Sequence, residues 1–174
     1  RGAPNPAWPE LTRGFVAYSS DTLSARINPR KLLAALAAGI QPDVAVAENC
    51  AVVEISNKGE VILADGSRLS PGRVIVAAGH ESFGLLQPVL QRELGRGVKG
   101  QAVLLRPSDR SFDSMPIIYN RGTYVIAHVG GLVAVGATSQ RNFTNAHVDE
   151  AVSRELVQRA VDLCPVLADA DIVE

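Results

Sequence analysis

Thr123-Tyr124-Val125-Ile126-Ala127-His128-Val129-Gly130-Gly131-Leu132-Val133-Ala134-Val135-Gly136-Ala137-Thr138 is a pair of apolar runs hinged on two glycines. Each run is rich in β-branched residues and about a strand long, and Gly130-Gly131 tolerates the backbone of a tight reversal. The stretch therefore predicts two antiparallel strands, over 123–128 and 132–138. Working outward, a third strand is expected over 116–119, joined through the turn Asn120-Arg121-Gly122, so that the three form a meander. A longer strand is expected over 98–106, and a loop over 107–116. Downstream, Val148, Val152, Leu156, Ala160 and Leu163 recur at helical spacing and Pro165 stops them, which places a helix behind the sheet. An antiparallel sheet with flanking helices is an α+β arrangement.

The first half reads differently. Residues 1–13 hold Pro4, Pro6 and Pro9 and form an irregular lead-in. Short strands are expected over 14–19 and 23–27, around Ser19-Ser20-Asp21. Asn28 is suited to cap a helix, Pro29 to its first position and Gly39 to its end. Leu32, Leu33 and Leu36 share one face of that helix, so one of its sides is expected to pack. Strands are then expected over 51–55, 61–64 and 73–77, parted by Asn57-Lys58-Gly59 and Asp65-Gly66. The last of these, Val74-Ile75-Val76-Ala77-Ala78-Gly79, does not alternate, as expected of a strand buried on both faces. A helix over 81–94 is expected to break near Pro88. The two halves meet near Leu94, and no internal repeat is visible.

Composition excludes several classes of function. The 174 residues carry a net charge of −1, and Arg92, Arg96 and Lys99 are the densest basic group, without interleaved aromatics. That is no stripe for phosphate neutralisation, so nucleic acid is not an expected partner. No apolar run reaches the ~20 residues needed to span a bilayer, so no membrane partner is expected either. Cys50 and Cys164 stand far apart with no CxxC, and read as buried or half-buried thiols of a reducing, cytoplasmic compartment. His80, His128 and His147 lack metal-ligand spacing. Acidic residues from Asp149 onward read as solvated helix and loop positions.

Three constellations bear on chemistry. The strand ending in Ala77-Ala78-Gly79 leaves no bulky side chain at its carboxyl end, where cofactors of open α/β sheets bind; a plain strand-to-helix turn has the same letters. Gly95-Arg96-Gly97-Val98-Lys99-Gly100 matches GxGxxG, but it follows a helix and precedes a strand. A dinucleotide loop needs the reverse order, so these glycines are expected to form a turn and to contact no phosphate. Tyr124, centred in the meander, presents an apolar ring and a polar tip, suited to a substrate carboxylate or to a half-buried core position.

Taken in order, these pieces resemble the FAD-dependent amine and amino-acid oxidases of the D-amino-acid oxidase superfamily. Within it the glycine-oxidase, thiamine-pathway type is the most similar. Asn28-Pro29-Arg30 is similar to the family's "(D)PR" step, and residues 73–79 to its "VVVAAG" strand. Val98-Lys99-Gly100-Gln101 resembles "V+GQ", and residues 123–126 with 132–138 resemble "YIVP…G-LVVGAT". The resemblance implies FAD as cofactor, flanked by Val52, Ala77, Ala78 and Gly79, and a small amine or amino-acid substrate near Tyr124 and Ser139. It also implies a partial FAD-binding domain over 28–88, and a discontinuous substrate domain over 1–27 and 95–174.

This sequence departs from the family in places. Ala127 and His128 stand where a proline often follows "YIV", Glu81 where relatives commonly have tryptophan, and Ser139 where glycine oxidases tend to have methionine. The family's N-terminal GxGxxG and its C-terminal "GLRP" segment would lie outside the 174 residues. The chain thus reads as an internal piece of an amine oxidase, inactive alone, whose partner is the remainder of the FAD domain. The expected parent reaction is oxidative deamination by hydride transfer to flavin, and no residue here is assigned as catalytic acid or base. Alternatives are a flavin dehydrogenase of the same superfamily and a non-catalytic binding module without cofactor.

Overall fold

The structure is a computed structural model, and it describes residues 22–23, 25–41, 43–108, 113 and 115–174. The lead-in over 1–13, the strand expected over 14–19 and its Ser19-Ser20-Asp21 turn lie outside the described residues, as does part of the 107–116 loop. The chain divides into two compact units, one of Arg1–Leu33 with Lys99–Glu174 and one of Ala34–Val98.

The larger unit is built on a five-stranded antiparallel sheet. Its strands are β4 (Ala102–Arg106), β5 (Ile118–Asn120), β6 (Thr123–His128), β7 (Leu132–Gly136) and β8 (Asp171–Ile172), in the order β5-β6-β7-β4-β8. The meander read from the sequence is present, with Arg121 and Gly122 both at positive φ in one turn, and Gly130 and Gly131 in the next. Cross-strand register puts Val103, Val135 and Val125 in one row and Leu105, Val133 and Ala127 in the next. These residues are buried, and they meet Leu156, Ala160 and Leu163 of helix α3 (Glu150–Leu163). Side chains alternate across a strand and recur every three to four residues on a helix, so one face of each element closes one core. Burial there contributes about 25 cal/mol per Å² of apolar area.

Three polar devices hold this core in place. The Gln101 side chain, only 7% exposed, donates from Nε2 to the Asp149 carbonyl and to Ser153 Oγ, each at 2.7 Å. Its Oε1 accepts from Asp149 N at 3.0 Å, so one amide pins the start of α3 to the approach to β4. The Asp149 carboxylate caps α3, accepting from Ala151 N and Val152 N; this acidic residue is an N-cap, where the sequence reads a solvated position. Asp113 Oδ1 accepts from Gly131 N at 3.0 Å and fastens the β6–β7 turn, while Arg26 donates to the carbonyls of Asp113 and Met115.

The smaller unit carries a three-stranded antiparallel sheet, β1 (Val52–Ile55), β2 (Val61–Leu63) and β3 (Arg68–Leu69), with helix α2 (Ser82–Leu90) packed against β1. Here the structure corrects the sequence reading. The third strand is Arg68–Leu69 and not 73–77. Ser67 N and Oγ both donate to Asp65 Oδ1, which closes the Asp65-Gly66 turn at once and returns the chain onto β2. Residues 73–78 run outside any strand, and Ile75 is 86% exposed, so the segment is not buried on both faces. Its apolar run has no strand beside it among the described residues. Helix α2 also continues through Pro88 to Leu90 before Gln91, at φ 51, ends it.

Helix α1 (Pro29–Ile40) begins as read: Asn28 Oδ1 accepts from Lys31 N at 3.1 Å and Pro29 is the first residue. It runs one residue past Gly39, and Leu32, Leu33 and Leu36 stay exposed and do not pack as expected. The described part of 23–27 is not a strand. β8 has no counterpart in the sequence reading; a strand of two residues is too short to carry a periodic signal.

Cys164 is buried in the larger core, whereas Cys50 is exposed, which corrects the expectation of two sheltered thiols. Burial pushes the Cys164 thiol up to about 12. Native protein should therefore react with one equivalent of a thiol reagent at once, and with the second only on unfolding. Two fast equivalents would contradict the core assignment. Unfolding frees a thiol that ionises near ~8.5, so between there and about 12 the unfolded state binds fewer protons and stability falls as pH rises. Cys164→Ala should flatten that slope in urea titrations. Gln101→Leu should destabilise the fold by about 1–3 kcal/mol in the same titrations, because it strands the groups the amide satisfies; an unchanged midpoint would show that water replaces the amide.

Candidate functional site

Alternation that buries one face of the five-stranded sheet leaves the other open. On that open face Tyr119, Tyr124, Gly136 and Ala102 form one row, each directly opposite the next. Ile126, Ala134 and Leu104 form the row beside it. Tyr124 is 46% exposed and Tyr119 59%, so neither is a core residue. Their ring centroids are 4.6 Å apart with planes at 41°. Gly136 sits so close to its neighbour that a Cβ there would lie 2.9 Å from the Ala102 Cβ. The face thus sets a pair of tyrosines beside Gly136 and Ala102, with Ile126, Ala134 and Leu104 in the next row. Such a surface offers apolar shape with a few hydroxyls for orientation.

Ser139 is exposed just past the end of β7. The strand end is held by reciprocal bonds: Thr138 N donates to the Gln101 carbonyl, and Gln101 N to Thr138 Oγ1, both at 3.0 Å. Lys99 and Gln140 then bridge in both directions, at 2.9 and 2.8 Å. Tyr124 and Ser139 therefore belong to one sheet end of one unit. Tyr119 is the residue missed in the sequence. The turn Asn120-Arg121-Gly122 carried its signal, since a two-residue reversal places 119 opposite 124.

Val52, Ala77, Ala78 and Gly79 belong to the smaller unit. Val52 opens β1, and Ala77-Ala78-Gly79 lead through a 3-10 turn into α2, which packs on β1. All four are exposed. Gly79 has φ 56 with nothing within 4 Å of a Cβ built on it, and Ser82 Oγ accepts from Ala78 N at 3.0 Å. These small, uncovered residues fit the edge of a flat cofactor lying along them, because no side chain stands in its way.

Gly95 to Gly100 follow α2 and lead into β4, the order expected of a connection. Arg96 pairs with Glu93 at 2.9 Å, and Lys99 Nζ donates to the His147 carbonyl at 2.6 Å. Among the described residues no group of His, Cys, Asp and Glu is placed to hold a metal ion. No helix there is long and apolar enough to cross a membrane.

Among curated proteins no relative matches the chain. Solved structures do. Glycine oxidase from Geobacillus kaustophilus superposes with a TM-score of 0.69 at 24% identity, over 82% of this chain and 39% of that one. Iminodiacetate oxidase from Chelativorans sp. BNC1 gives 0.68 at 25%, over 83% and 40%. Glycine oxidase from Bacillus cereus ATCC 14579 gives 0.58 at 26%, over 71% and 34%. The chain spans about two-fifths of the length of the first two of these structures. The profile of the DAO family, described as FAD dependent oxidoreductase, matches residues 4–174. This chain belongs to that family of FAD-dependent oxidoreductases.

Proposed function

We propose that this chain is part of an FAD-dependent oxidase of small amines or amino acids. The residues proposed for substrate belong to the larger unit, and those proposed for the cofactor belong to the smaller one. The observation that carries the reading is the open sheet face, with its tyrosine pair in one row with Gly136 and Ala102 and an apolar row of Ile126, Ala134 and Leu104 beside it. Support comes from the family and from two neighbouring solved structures, oxidases of iminodiacetate and glycine.

When bound, FAD supplies a hydride acceptor for the carbon that bears the substrate's amine. Orientation is the task of this chain's own residues. Val52, Ala77, Ala78 and Gly79 flank the cofactor through their backbone. The Tyr124 hydroxyl donates to the substrate carboxylate, with Ser139 beside the same sheet end, and the apolar floor excludes water from the reacting carbon. Displaced water strengthens that charged hydrogen bond.

Tyr124→Phe in the flavin-loaded protein should raise KM for glycine or iminodiacetate by about 10- to 100-fold, the equivalent of the ~1.5–3 kcal/mol of one charge-assisted hydrogen bond. Flavin content, read from absorbance, should not change. Unaltered kinetics with every amino acid tried would remove Tyr124 from the site. The 174 residues purified alone should be colourless. Their proposed contacts reach FAD only along part of its length, and association costs at least ~4 kcal/mol before any net affinity appears. Stoichiometric FAD retained in equilibrium dialysis would show that residues read here as turns grip the pyrophosphate.

A further inference from the structure

Tyr124 stands on a sheet face with no core around it, so what holds its ring in one place is a question the geometry answers. In its row the neighbour on one side is Gly136, which has no side chain. A larger residue at 136 would collide with Ala102. The neighbour on the other side is Tyr119, directly opposite in the β5–β6 ladder, with ring centroids 4.6 Å apart and planes tilted by 41°. Tyr119 itself sits two residues before the turn at Arg121 and Gly122, whose positive φ values set the register of the hairpin.

We infer that Tyr119 is a positioning residue, which acts by stacking on Tyr124 and so fixes where the Tyr124 hydroxyl meets the substrate. The inference rests on the substrate-binding role proposed for Tyr124. Ile126 shares this face along β6, but across the ladder Gly136 offers the Tyr124 ring no side chain, so Tyr119 is the cross-strand neighbour that limits its χ1 and χ2. An offset or tilted aromatic neighbour at this distance is attractive and directional. With Tyr119 in place, the Tyr124 ring is confined between it and the bare floor over Gly136 and Ala102. Without it, the hydroxyl samples positions from which no carboxylate bond forms, and the ordering cost falls on substrate binding.

The test is a double-mutant cycle on the flavin-loaded protein, with glycine and iminodiacetate as probes. Tyr119→Leu should raise KM by about 2- to 10-fold, the range of a lost aromatic pair, with kcat within about twofold. Tyr119→Phe, which keeps the ring, should restore wild-type KM. Tyr119→Leu made on top of Tyr124→Phe should add no further rise, because the hydroxyl it orients is gone. Flavin absorbance and thermal midpoint, measured on each variant, exclude misfolding as the cause. An equal rise in both backgrounds would mean that Tyr119 touches substrate independently, and would overturn the inference while leaving Tyr124 in the site. Unchanged KM in Tyr119→Leu would overturn it too. Unchanged KM in Tyr124→Phe would instead overturn the proposed function beneath it.

Discussion

An antiparallel strand shows its side chains to two sides in strict alternation, and the larger unit depends on that constraint. In β4, β6 and β7 the buried apolar set is Val103, Leu105, Val125, Ala127, Val133 and Val135. Antiparallel pairing keeps these six in two rows, so a single helix, α3, covers them. A slip of one residue in any strand would carry its set to the other face and expose it. The hairpin turns and the Asp113 carboxylate across Gly130 and Gly131 guard against such a slip. The open face follows automatically: it holds whatever the core did not take.

This explains why the meander and α3 were legible in the sequence. Valine and alanine at alternate positions, glycine at both reversals and a period of four in Val152, Leu156 and Ala160 are local signals, and local signals agree with the fold there. Tyr124 was legible only as an ambiguity. Its letter and spacing allow either face, and the choice depends on which neighbours helix α3 covers. Ser139 and Val52 were singled out through resemblance alone, since nothing in a lone serine or valine marks a site.

Where the reading failed, the cause was a partner that the residue letters do not name. The run Val74-Ile75-Val76 has every local property of a buried strand. Burial, however, belongs to the neighbours, and among the described residues none pairs with it. The Asp65-Gly66 turn could close on either of two following segments. Ser67, donating twice to Asp65, selected the nearer one. The leucines of α1 show the same logic: an amphipathic stripe promises a partner without naming it.

The glycine motif near the seam argues the point from the opposite side. Gly95, Gly97 and Gly100 have the letters of a dinucleotide loop, and the extended run ending at Gly79 does not. Yet Gly79 is the glycine that leads an extended segment into a helix, at positive φ and with open space above it. Gly95 lies against the Phe83 ring, where a Cβ would come within 2.9 Å, and Gly100 nears the Thr138 carbonyl on the way into β4. Gly95 and Gly100 are thus glycines of close packing, whereas Gly79 has open space beside it. The cofactor contact proposed above requires such space, because it would run along exposed backbone. That proposal therefore rests on Ala77-Ala78-Gly79 and not on the better-spelled motif.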